Sequence, residues 1–443
     1  MLPPLLAVLL GLWGLERGGS MWRDESVTWQ VAHRPLGGIW QLLGEVDAVH
    51  GLYYLLMHGV FTAWDGGLWA LRLPSVAATA LAAAGVAAVA RRLVGERAAL
   101  FAGLAYAVLP PVQMYAQEGR SYALVAAAVV WATYLMLRER WTAYAVVLLV
   151  GCWLHEFAVL ALLAHAFAGW RSRGWRVAAG AVAALLLPLA LVSARQAQQQ
   201  LGWLGRPSWQ DWTAYGVLAV ASLLLARGAD RELVRVALPL ALLPPGLLMA
   251  VSLVHPWYVD RYVLYALAGF ALLAGARLAA ARPGAARGWW PWLLVAALVV
   301  PLGWWSVWLR TPDSRKDDVL AVAAAVRERA RPGDAVVFMP SRRREWLLSS
   351  PAEYGELRDV ALARTPEASR SLQGTELSPK AIRAALLASP RVIALMDPAD
   401  QPLDPYPREA AKREALAAAF ERCSVTAVRG ARVAVYARPG ACG

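Results

Sequence analysis

Long uncharged apolar runs constrain this chain more than any other feature. Residues Val76–Ala90 and Val236–Val254 contain no Asp, Glu, Lys or Arg. A helix needs about 20 mostly apolar residues to cross the hydrocarbon core of a bilayer. The whole chain is 59% hydrophobic, whereas a soluble domain is about half apolar. The sequence therefore predicts a polytopic α-helical membrane protein whose partners include the lipid bilayer.

Apolar runs recur along most of the chain. The first, Leu2–Leu15, is short for a span and lacks the basic segment and cleavage site of a signal peptide. Val49–Trp64 is also short, and it either crosses or lies in the interface. We expect about eleven transmembrane helices of spanning length if it does not cross. The later runs are Leu68–Ala90, Ala98–Met114, Ser121–Leu137, Trp141–His155, Phe157–Trp170, Val177–Ser193, Trp212–Ala226, Val236–Val254, Tyr262–Ala276 and Trp290–Leu309.

The net charge of +13 would suggest a nucleic-acid partner in a soluble protein. Here the basic residues lie largely in short connections, and every second connection is basic if Val49–Trp64 does not cross, as in Arg91-Arg92 through Arg97. The positive-inside rule places such connections in the cytoplasm. We therefore predict a cytoplasmic N-terminus, an extracytoplasmic C-terminal region and no nucleic-acid partner.

The remaining connections hold the acids, histidines, glutamines and aromatic residues. A charged residue at membrane depth costs about 2.5–3.5 kcal/mol on insertion scales, so their gathering on one face predicts a polar cavity there. The acidic pair Asp24-Glu25 follows the first apolar run and is placed to supply a general base. An acidic pair in a loop is also typical of an ordinary solvated turn.

Two outer turns carry arginines that could hold a phosphate with the planar guanidinium fork. Tyr115–Tyr122 contains Arg120 and more polar side chains than a turn needs. His255–Tyr262 contains Arg261, together with aromatic residues that could stack on a sugar. The alternative for each arginine is a side chain that reaches the interface from a helix end.

Three other segments also have ordinary structural alternatives. Asp47 and His50, followed by Tyr53-Tyr54, could line a sugar site or belong to an aromatic belt. Arg72-Leu73-Pro74-Ser75 predicts the start of a helix, with the proline in its first turn. His155-Glu156 interrupts a long apolar stretch and is typical of a polar hairpin tip.

The sequence changes character after Leu309, where helical and strand patterns alternate. This alternation predicts a soluble α/β domain over residues 311–443, beside a transmembrane domain over 1–310. Cys423 and Cys442 flank the last hairpin and either form a disulfide in an oxidising compartment or stay free, whereas Cys152 is expected to be buried. The predicted elements are helices Asp317–Arg329, Pro379–Ala388 and Arg408–Arg422, strands Ala335–Met339 and Arg391–Met396, and a hairpin of Val425–Val428 with Val433–Tyr436.

Taken in order, these segments resemble the family 39 glycosyltransferases and their relatives of the GT-C class, which include the protein O-mannosyltransferases and the lipid A aminoarabinose transferase. The resemblance covers about residues 1–310. One departure is Gly51-Leu52, where relatives often have a Pro-Pro pair. The segments that carry the resemblance are Asp24-Glu25, Asp47-x-x-His50 with Tyr53-Tyr54, Arg72-Leu73-Pro74-Ser75, Tyr115-x-Gln117-Glu118-x-Arg120-x-Tyr122 and Arg261-Tyr262.

The resemblance implies transfer of a sugar from a polyprenyl-phosphate donor, with inversion, to an acceptor outside the cytoplasm. We expect the sugar to be a hexose or pentose, the acceptor to be a protein, polysaccharide or lipid, and the source to be a bacterium. It implies that Asp24 is the catalytic carboxylate and that Glu25 supports it or positions the acceptor. Arg120 and Arg261 would hold the lipid phosphate. No firm metal set is implied, although a divalent metal stays possible. The other predicted substrate-binding residues are Asp47, His50, Tyr53, Gln117, Glu118, Tyr122, His155 and Tyr262.

Two further functions fit a polytopic chain. A membrane transporter or lipid flippase should have mid-span breaks in paired halves. Pro188 and Pro244-Pro245 are such breaks, but the spans show no matching halves. A membrane-anchored binding protein would act through its tail, and about eleven spans of membrane-crossing length are many for an anchor.

Overall fold

The computed structural model describes residues 1–202, 204–281 and 300–442. It is mostly helical, with a sheet region towards the C-terminus. Two compact units are present, and each is discontinuous in sequence. The first unit comprises Met1–Leu15, Val46–Leu56 and Trp69–Arg310, and the second comprises Glu16–Glu45, Met57–Leu68 and Thr311–Gly443. The predicted domain division at residue 310 stays a prediction.

Most of the helices in the first part of the chain follow the apolar runs. A further helical stretch over 300–308 ends the predicted run Trp290–Leu309, of which residues 290–299 lie outside the described residues. The helices are α1 (Leu2–Leu12), α2 (Arg23–Ala32), α3 (Leu36–Leu43), α4 (Gly51–Ala63), α5 (Leu68–Leu93), α6 (Glu96–Val108), α7 (Pro110–Ala116), α8 (Tyr122–Leu137), α9 (Trp141–Leu154), α10 (Leu160–Gly169), α11 (Arg173–Leu201), α12 (Trp209–Ala226), α13 (Arg231–Val251) and α14 (Ala266–Ala280).

Three of the described helices, α5, α11 and α13, are long and apolar enough to cross a membrane. Helices α6 and α7 would together make a fourth span, but they are bent by 66°. Leu109 between them is extended, because the proline at position 110 disfavours helical geometry in the preceding residue. The predicted run Ala98–Met114 is therefore broken. The count of about eleven spans, which rests on run length, stays a prediction.

Helix α5 begins before the segment predicted to start it. Its first residue is Leu68, where the predicted run Leu68–Ala90 also begins, and Pro74 lies inside the helix. The prediction that Arg72–Ser75 starts the helix, with the proline in its first turn, is therefore wrong. Arg72 is fully buried, and its Nη1 donates to the Leu15 carbonyl at 2.6 Å. The Ser75 hydroxyl donates to the Glu118 carbonyl at 2.6 Å. Both polar side chains therefore hold neighbouring backbone segments against α5.

The second unit contains the C-terminal sheet region that the sequence predicts. In the described chain, the order of the five-stranded sheet is β2-β1-β5-β7-β6, and β3 pairs with β4 separately. Strand β1 is parallel to β2 and β5, whereas β7 is antiparallel to β5 and β6. The elements are α15 (Val319–Arg329), β1 (Ala335–Met339), α16 (Glu345–Leu348), α17 (Pro351–Gly355), β2 (Arg358–Asp359), β3 (Leu362–Arg364), β4 (Thr375–Glu376), α18 (Pro379–Leu387), β5 (Arg391–Met396), α19 (Pro407–Ala419), β6 (Glu421–Val428) and β7 (Ala431–Ala437).

The centre of this sheet is apolar on both faces. Every residue of β1 is buried, and successive side chains point to opposite faces. Val336 and Phe338 pack with Val322 of α15, whereas Val337 packs with Ile382 of α18. Helices therefore cover both faces, which explains why this strand is a continuous apolar run.

The C-terminal hairpin is longer than predicted. The predicted helix Arg408–Arg422 ends at Ala419, and Glu421 already belongs to β6. Because β6 is largely exposed, the start of the strand lacks the alternation of apolar and polar residues that marks a half-buried strand. The sequence therefore does not show where the preceding helix ends and the strand begins. Of the two states left open for Cys423 and Cys442, the structure has the disulfide. Cys152 is a buried free thiol, as predicted.

A buried ionic group lies beneath the sheet. Lys412 is fully buried, and its Nζ donates to the Phe338 carbonyl at 2.7 Å and to carboxylate oxygens of Glu376 and Glu409, each at 2.9 Å. Burial raises the pKa of the Glu409 carboxyl above its usual value, and the ammonium group opposes this rise. The lysine therefore compensates two carboxylates that have little access to water.

Replacing this lysine should destabilise the second unit. We expect Lys412→Met to lower the free energy of unfolding by about 3–5 kcal/mol, because the buried Glu409 carboxylate loses its cation and Glu376 keeps only Arg344. The loss should shrink as the pH falls, since a protonated Glu409 no longer needs the ammonium group. Denaturant titration of the full-length protein in detergent, followed by hydrogen exchange of the sheet amides, would measure it. Lys380→Met, at an exposed position, is the matched control, and equal stability of the two variants would refute this role.

Candidate functional site

Polar side chains from separate connections meet in the first unit. We call the group formed by His50, Arg120, Tyr122, His155, Arg261 and Tyr262 the Arg120 cluster. His50 directly precedes α4, Arg120 lies between α7 and α8, and His155 follows α9. Arg261 and Tyr262 precede α14. The sequence predicts each of these residues separately, and the structure brings their side chains together.

Arg120 and His50 form a buried contact within the cluster. Arg120 Nη2 lies 2.6 Å from His50 Nε2, and both side chains are buried. A guanidinium group only donates hydrogen bonds, so His50 Nε2 is the acceptor and its proton is on Nδ1. The imidazole therefore orients the arginine without adding a charge.

The histidines leave two ring nitrogens available. Nδ1 of His50 and Nδ1 of His155 are buried and have no hydrogen-bond partner within the described part of the chain. Buried polar groups in native structures are nearly always paired. These two atoms therefore mark positions where a ligand or a water molecule is expected to bind.

Arg261 is held against aromatic faces. Its Nε donates to the Tyr122 hydroxyl at 3.0 Å. The guanidinium carbon lies 5.6 Å from the ring centre of Tyr122 and 5.6 Å from that of Tyr262, within the range of a cation–π interaction. The side chain is half-buried, so this arginine is more accessible than Arg120.

Aromatic rings complete the cluster. The His155 ring lies 4.4 Å from Tyr262 and 5.6 Å from His50, measured between ring centres. The Tyr122 ring lies 5.9 Å from His155. His155, read from sequence as typical of a hairpin tip, is therefore buried among functional candidates. Flat rings beside two guanidinium groups suit a ligand that carries both a sugar and a phosphate.

Tyr54, Tyr115 and Asp260 also belong to this region, although the sequence does not predict them as site residues. The Tyr54 hydroxyl donates to the Asp47 carboxylate, and the Tyr115 hydroxyl donates to Asp260 at 3.1 Å. Tyr54 is close to the cluster, since its ring centre lies 6.1 Å from that of His50. Each of the three residues lies within a segment that the sequence analysis singles out. Their closeness along the chain to predicted site residues is the signal that could have identified them.

Gln117 and Glu118, which the sequence predicts to bind substrate, also form hydrogen bonds within the fold. Gln117 Nε2 donates to the carbonyls of Gly11 at 3.0 Å and Trp13 at 2.7 Å. These carbonyls lie at the end of α1, where backbone acceptors lack helical partners. The amide nitrogen of Gln117 therefore closes α1, while the Glu118 backbone carbonyl accepts from Ser75. Tyr53 is fully buried.

The acidic pair lies in the second unit, in the first turn of α2. Glu25 is fully buried, and its carboxylate accepts from Arg17 Nη2 at 2.6 Å and from the backbone N–H of Trp22 at 3.4 Å. A carboxylate at this position caps the helix by pairing with the N-cap amide. Glu25 therefore fixes the turn, whereas Asp24 beside it is partly exposed.

One group of side chains in the described residues has the spacing of a metal site, namely Glu421 with Cys423 and Cys442. The two cysteines are joined in a disulfide. They therefore offer no thiolate, which is the form of cysteine that binds metals. This group gives no reason to propose a metal centre, and a divalent metal elsewhere stays a possibility raised by the sequence.

Comparison with solved structures identifies the fold. The chain is similar to the crystal structure of ArnT from Cupriavidus metallidurans bound to undecaprenyl phosphate, with a TM-score of 0.61 and 15% sequence identity over 100% of this chain and 98% of that one. The apo structure of ArnT matches with a TM-score of 0.60 and 12% identity over 98% and 97% of the two chains. No protein-family model matches, and no curated protein matches. The predicted resemblance to GT-C proteins is therefore confirmed at the level of the fold.

The contribution of the buried ion pair between Arg17 and Glu25 to stability can be tested by removing the arginine. We expect Arg17→Ala to lower stability by about 3–5 kcal/mol, because the Glu25 carboxylate stays buried without its cation. Arg327→Ala removes an exposed pair with Glu353 and should cost at most about 1 kcal/mol. Thermal unfolding of the full-length protein in detergent would measure both, and equal melting temperatures would show that the buried pair does not stabilise the fold.

Proposed function

We propose that this protein is an integral-membrane glycosyltransferase that moves a sugar from a polyprenyl-phosphate donor to an extracytoplasmic acceptor. The observation that carries the proposal is the Arg120 cluster, in a chain with the fold of ArnT, whose structure was solved with undecaprenyl phosphate bound. A donor with a lipid tail must keep its phosphosugar near the membrane interface. Polar groups gathered between apolar helices suit such a donor.

The two arginines are the proposed phosphate ligands. Negative charge grows on the leaving phosphate as the bond between it and the sugar breaks. Guanidinium groups already oriented towards that charge stabilise the transition state. His50 orients Arg120, and Tyr122 orients Arg261, while the rings of His155 and Tyr262 would line the sugar. A phosphate would also accept a hydrogen bond from the Nδ1 proton of His50.

Asp24 is the proposed general base. The acceptor oxygen attacks the anomeric carbon, the bond from that carbon to the phosphate oxygen breaks, and polyprenyl phosphate leaves. Asp24 takes the acceptor's proton, and the single displacement inverts the configuration. Partial exposure of Asp24 suits this role, since a base must reach the acceptor, whereas the neighbouring Glu25 is tied to Arg17.

The proposed location is the bacterial plasma membrane, with the N-terminus in the cytoplasm and residues 311–443 outside. The disulfide between Cys423 and Cys442 supports an exported C-terminal region, because disulfides persist in oxidising compartments. The sugar is proposed to be a hexose or pentose. The acceptor is a protein, a polysaccharide or a lipid.

Neutralising the proposed base tests this function. We expect Asp24→Asn to lower sugar transfer by at least about 100-fold, the usual contribution of a general base, while the near-identical shape leaves expression and membrane insertion intact. Transfer of labelled sugar from polyprenyl-phosphate donors in membranes would measure it. Glu45→Gln, an exposed acid in the same connection, should keep full activity. Full activity of Asp24→Asn would remove this residue as the base.

A further inference from the structure

We infer that the C-terminal α/β region belongs to the catalytic apparatus, because its residues Asp317, Asp318 and Glu345 position the turn that carries Asp24. This role rests on the proposed function and deepens it. The residues lie in or beside α15 and α16, in the part of the chain whose contribution the sequence left unassigned. Asp24 and all three acids belong to the second unit.

Two consecutive carboxylates hold the backbone directly before Asp24. Asp317 Oδ1 accepts from the Arg23 backbone N–H at 2.8 Å, and Asp318 Oδ1 accepts from the Met21 N–H at 3.3 Å. The Val319 N–H donates to the Met21 carbonyl at 2.6 Å. The segment that enters α2 is therefore bound by hydrogen bonds to the segment that enters α15.

Asp318 serves both helices at once. The same carboxylate oxygen that accepts from Met21 also accepts from the Ala321 N–H at 3.2 Å, where it caps the N-terminus of α15. The amides at a helix N-terminus need an acceptor from outside the helix. The cap that starts α15 is therefore also a contact that fixes the segment before Asp24.

Helix α16 holds the residues on either side of the acidic pair. Arg23 donates to Glu345 Oε2 through Nε at 3.1 Å and through Nη2 at 3.0 Å. The Ser26 hydroxyl donates to the Glu345 carbonyl at 2.9 Å and lies 3.0 Å from the Ser349 hydroxyl. The residue before Asp24 and the residue after Glu25 are therefore both attached to one short helix.

These anchors are polar, buried and directional. Asp317, Asp318 and Glu345 are 6%, 8% and 1% exposed. Burial raises the pKa of the Asp317 carboxyl, and the nearby Asp24 carboxylate raises it further, so the two acids lie close enough to affect each other. Hydrogen bonds to fixed backbone amides define the orientation of the turn more narrowly than apolar packing does. A displacement of about 1 Å at a reacting group can cost about 100-fold in rate.

Two substitutions at Asp317 separate positioning from charge. We expect Asp317→Ala to lower kcat about tenfold to 100-fold, with the KM for the polyprenyl-phosphate donor unchanged because Arg120 and Arg261 are untouched. Asp317→Asn keeps an oxygen that can accept from the Arg23 N–H, so it should restore most of kcat. Glu328→Ala removes an exposed acid of α15 and is the matched control, with wild-type kinetics expected.

Hydrogen exchange provides a readout that does not need activity. In Asp317→Ala the amides of residues 21–26 should exchange faster than in the wild type, while the β1 amides keep their protection and show that the fold is intact. Glu328→Ala should match the wild type throughout. Unchanged kcat and unchanged protection at residues 21–26 in Asp317→Ala would overturn the inference.

The same experiment distinguishes failure of the inference from failure of the proposed function. If the wild type transfers sugar, Asp24→Asn does not, and Asp317→Ala behaves like Glu328→Ala, only the positioning role is wrong. If the wild type transfers no sugar from any polyprenyl-phosphate donor, the proposed function is wrong. The proposed role of these contacts in catalysis is then also wrong, whatever the exchange rates of residues 21–26 show.

Discussion

An arginine that is buried away from water must be given acceptors, and this requirement organises both units. In the first unit, Arg72 donates to the Leu15 carbonyl, and Arg310 donates to the carbonyls of Leu10 at 2.6 Å and Trp13 at 3.2 Å. In the second, Arg17 pairs with Glu25, and Arg344 pairs with Asp359 and Glu376. Apolar surfaces of many shapes can pack together, but a buried cation without a partner costs several kcal/mol. These contacts therefore fix which segments lie side by side.

The same requirement distinguishes cations that hold the fold from cations that can hold a ligand. Arg17 and Arg72 are fully buried on oxygen acceptors and cannot turn away without leaving those acceptors unpaired. Arg261 lies half-exposed on aromatic rings, and Arg120 donates to an imidazole whose other nitrogen has no partner in the described part of the chain. An anion that enters the Arg120 cluster would gain two guanidinium groups and the ring N–H donor of His50. A phosphate attached to a membrane lipid fits that combination.

Much of this organisation follows from local sequence patterns. Strands β1 and β5 begin and end where their apolar runs predict, because a buried strand is read from adjacent residues. The sequence does not predict the break at Leu109, because the apolar run continues across Pro110-Pro111. The contact between Arg23 and Asp317 joins residues 294 positions apart, and no pattern in a single sequence reports such a pairing. For the same reason the sequence grouped the residues of the Arg120 cluster by loop but could not distinguish Gln117, which closes α1, from Arg120.

Binding of undecaprenyl phosphate to the purified full-length protein tests the proposed lipid-phosphate site most directly. Native mass spectrometry would compare the wild type with Arg261→Ala and with Arg277→Ala, an exposed arginine at the other end of α14. The wild type and Arg277→Ala should bind the lipid equally well. Arg261→Ala should bind at least about tenfold more weakly, as the loss of a charged hydrogen bond implies. Equal binding by all three proteins would contradict the assignment of the Arg120 cluster as the donor site.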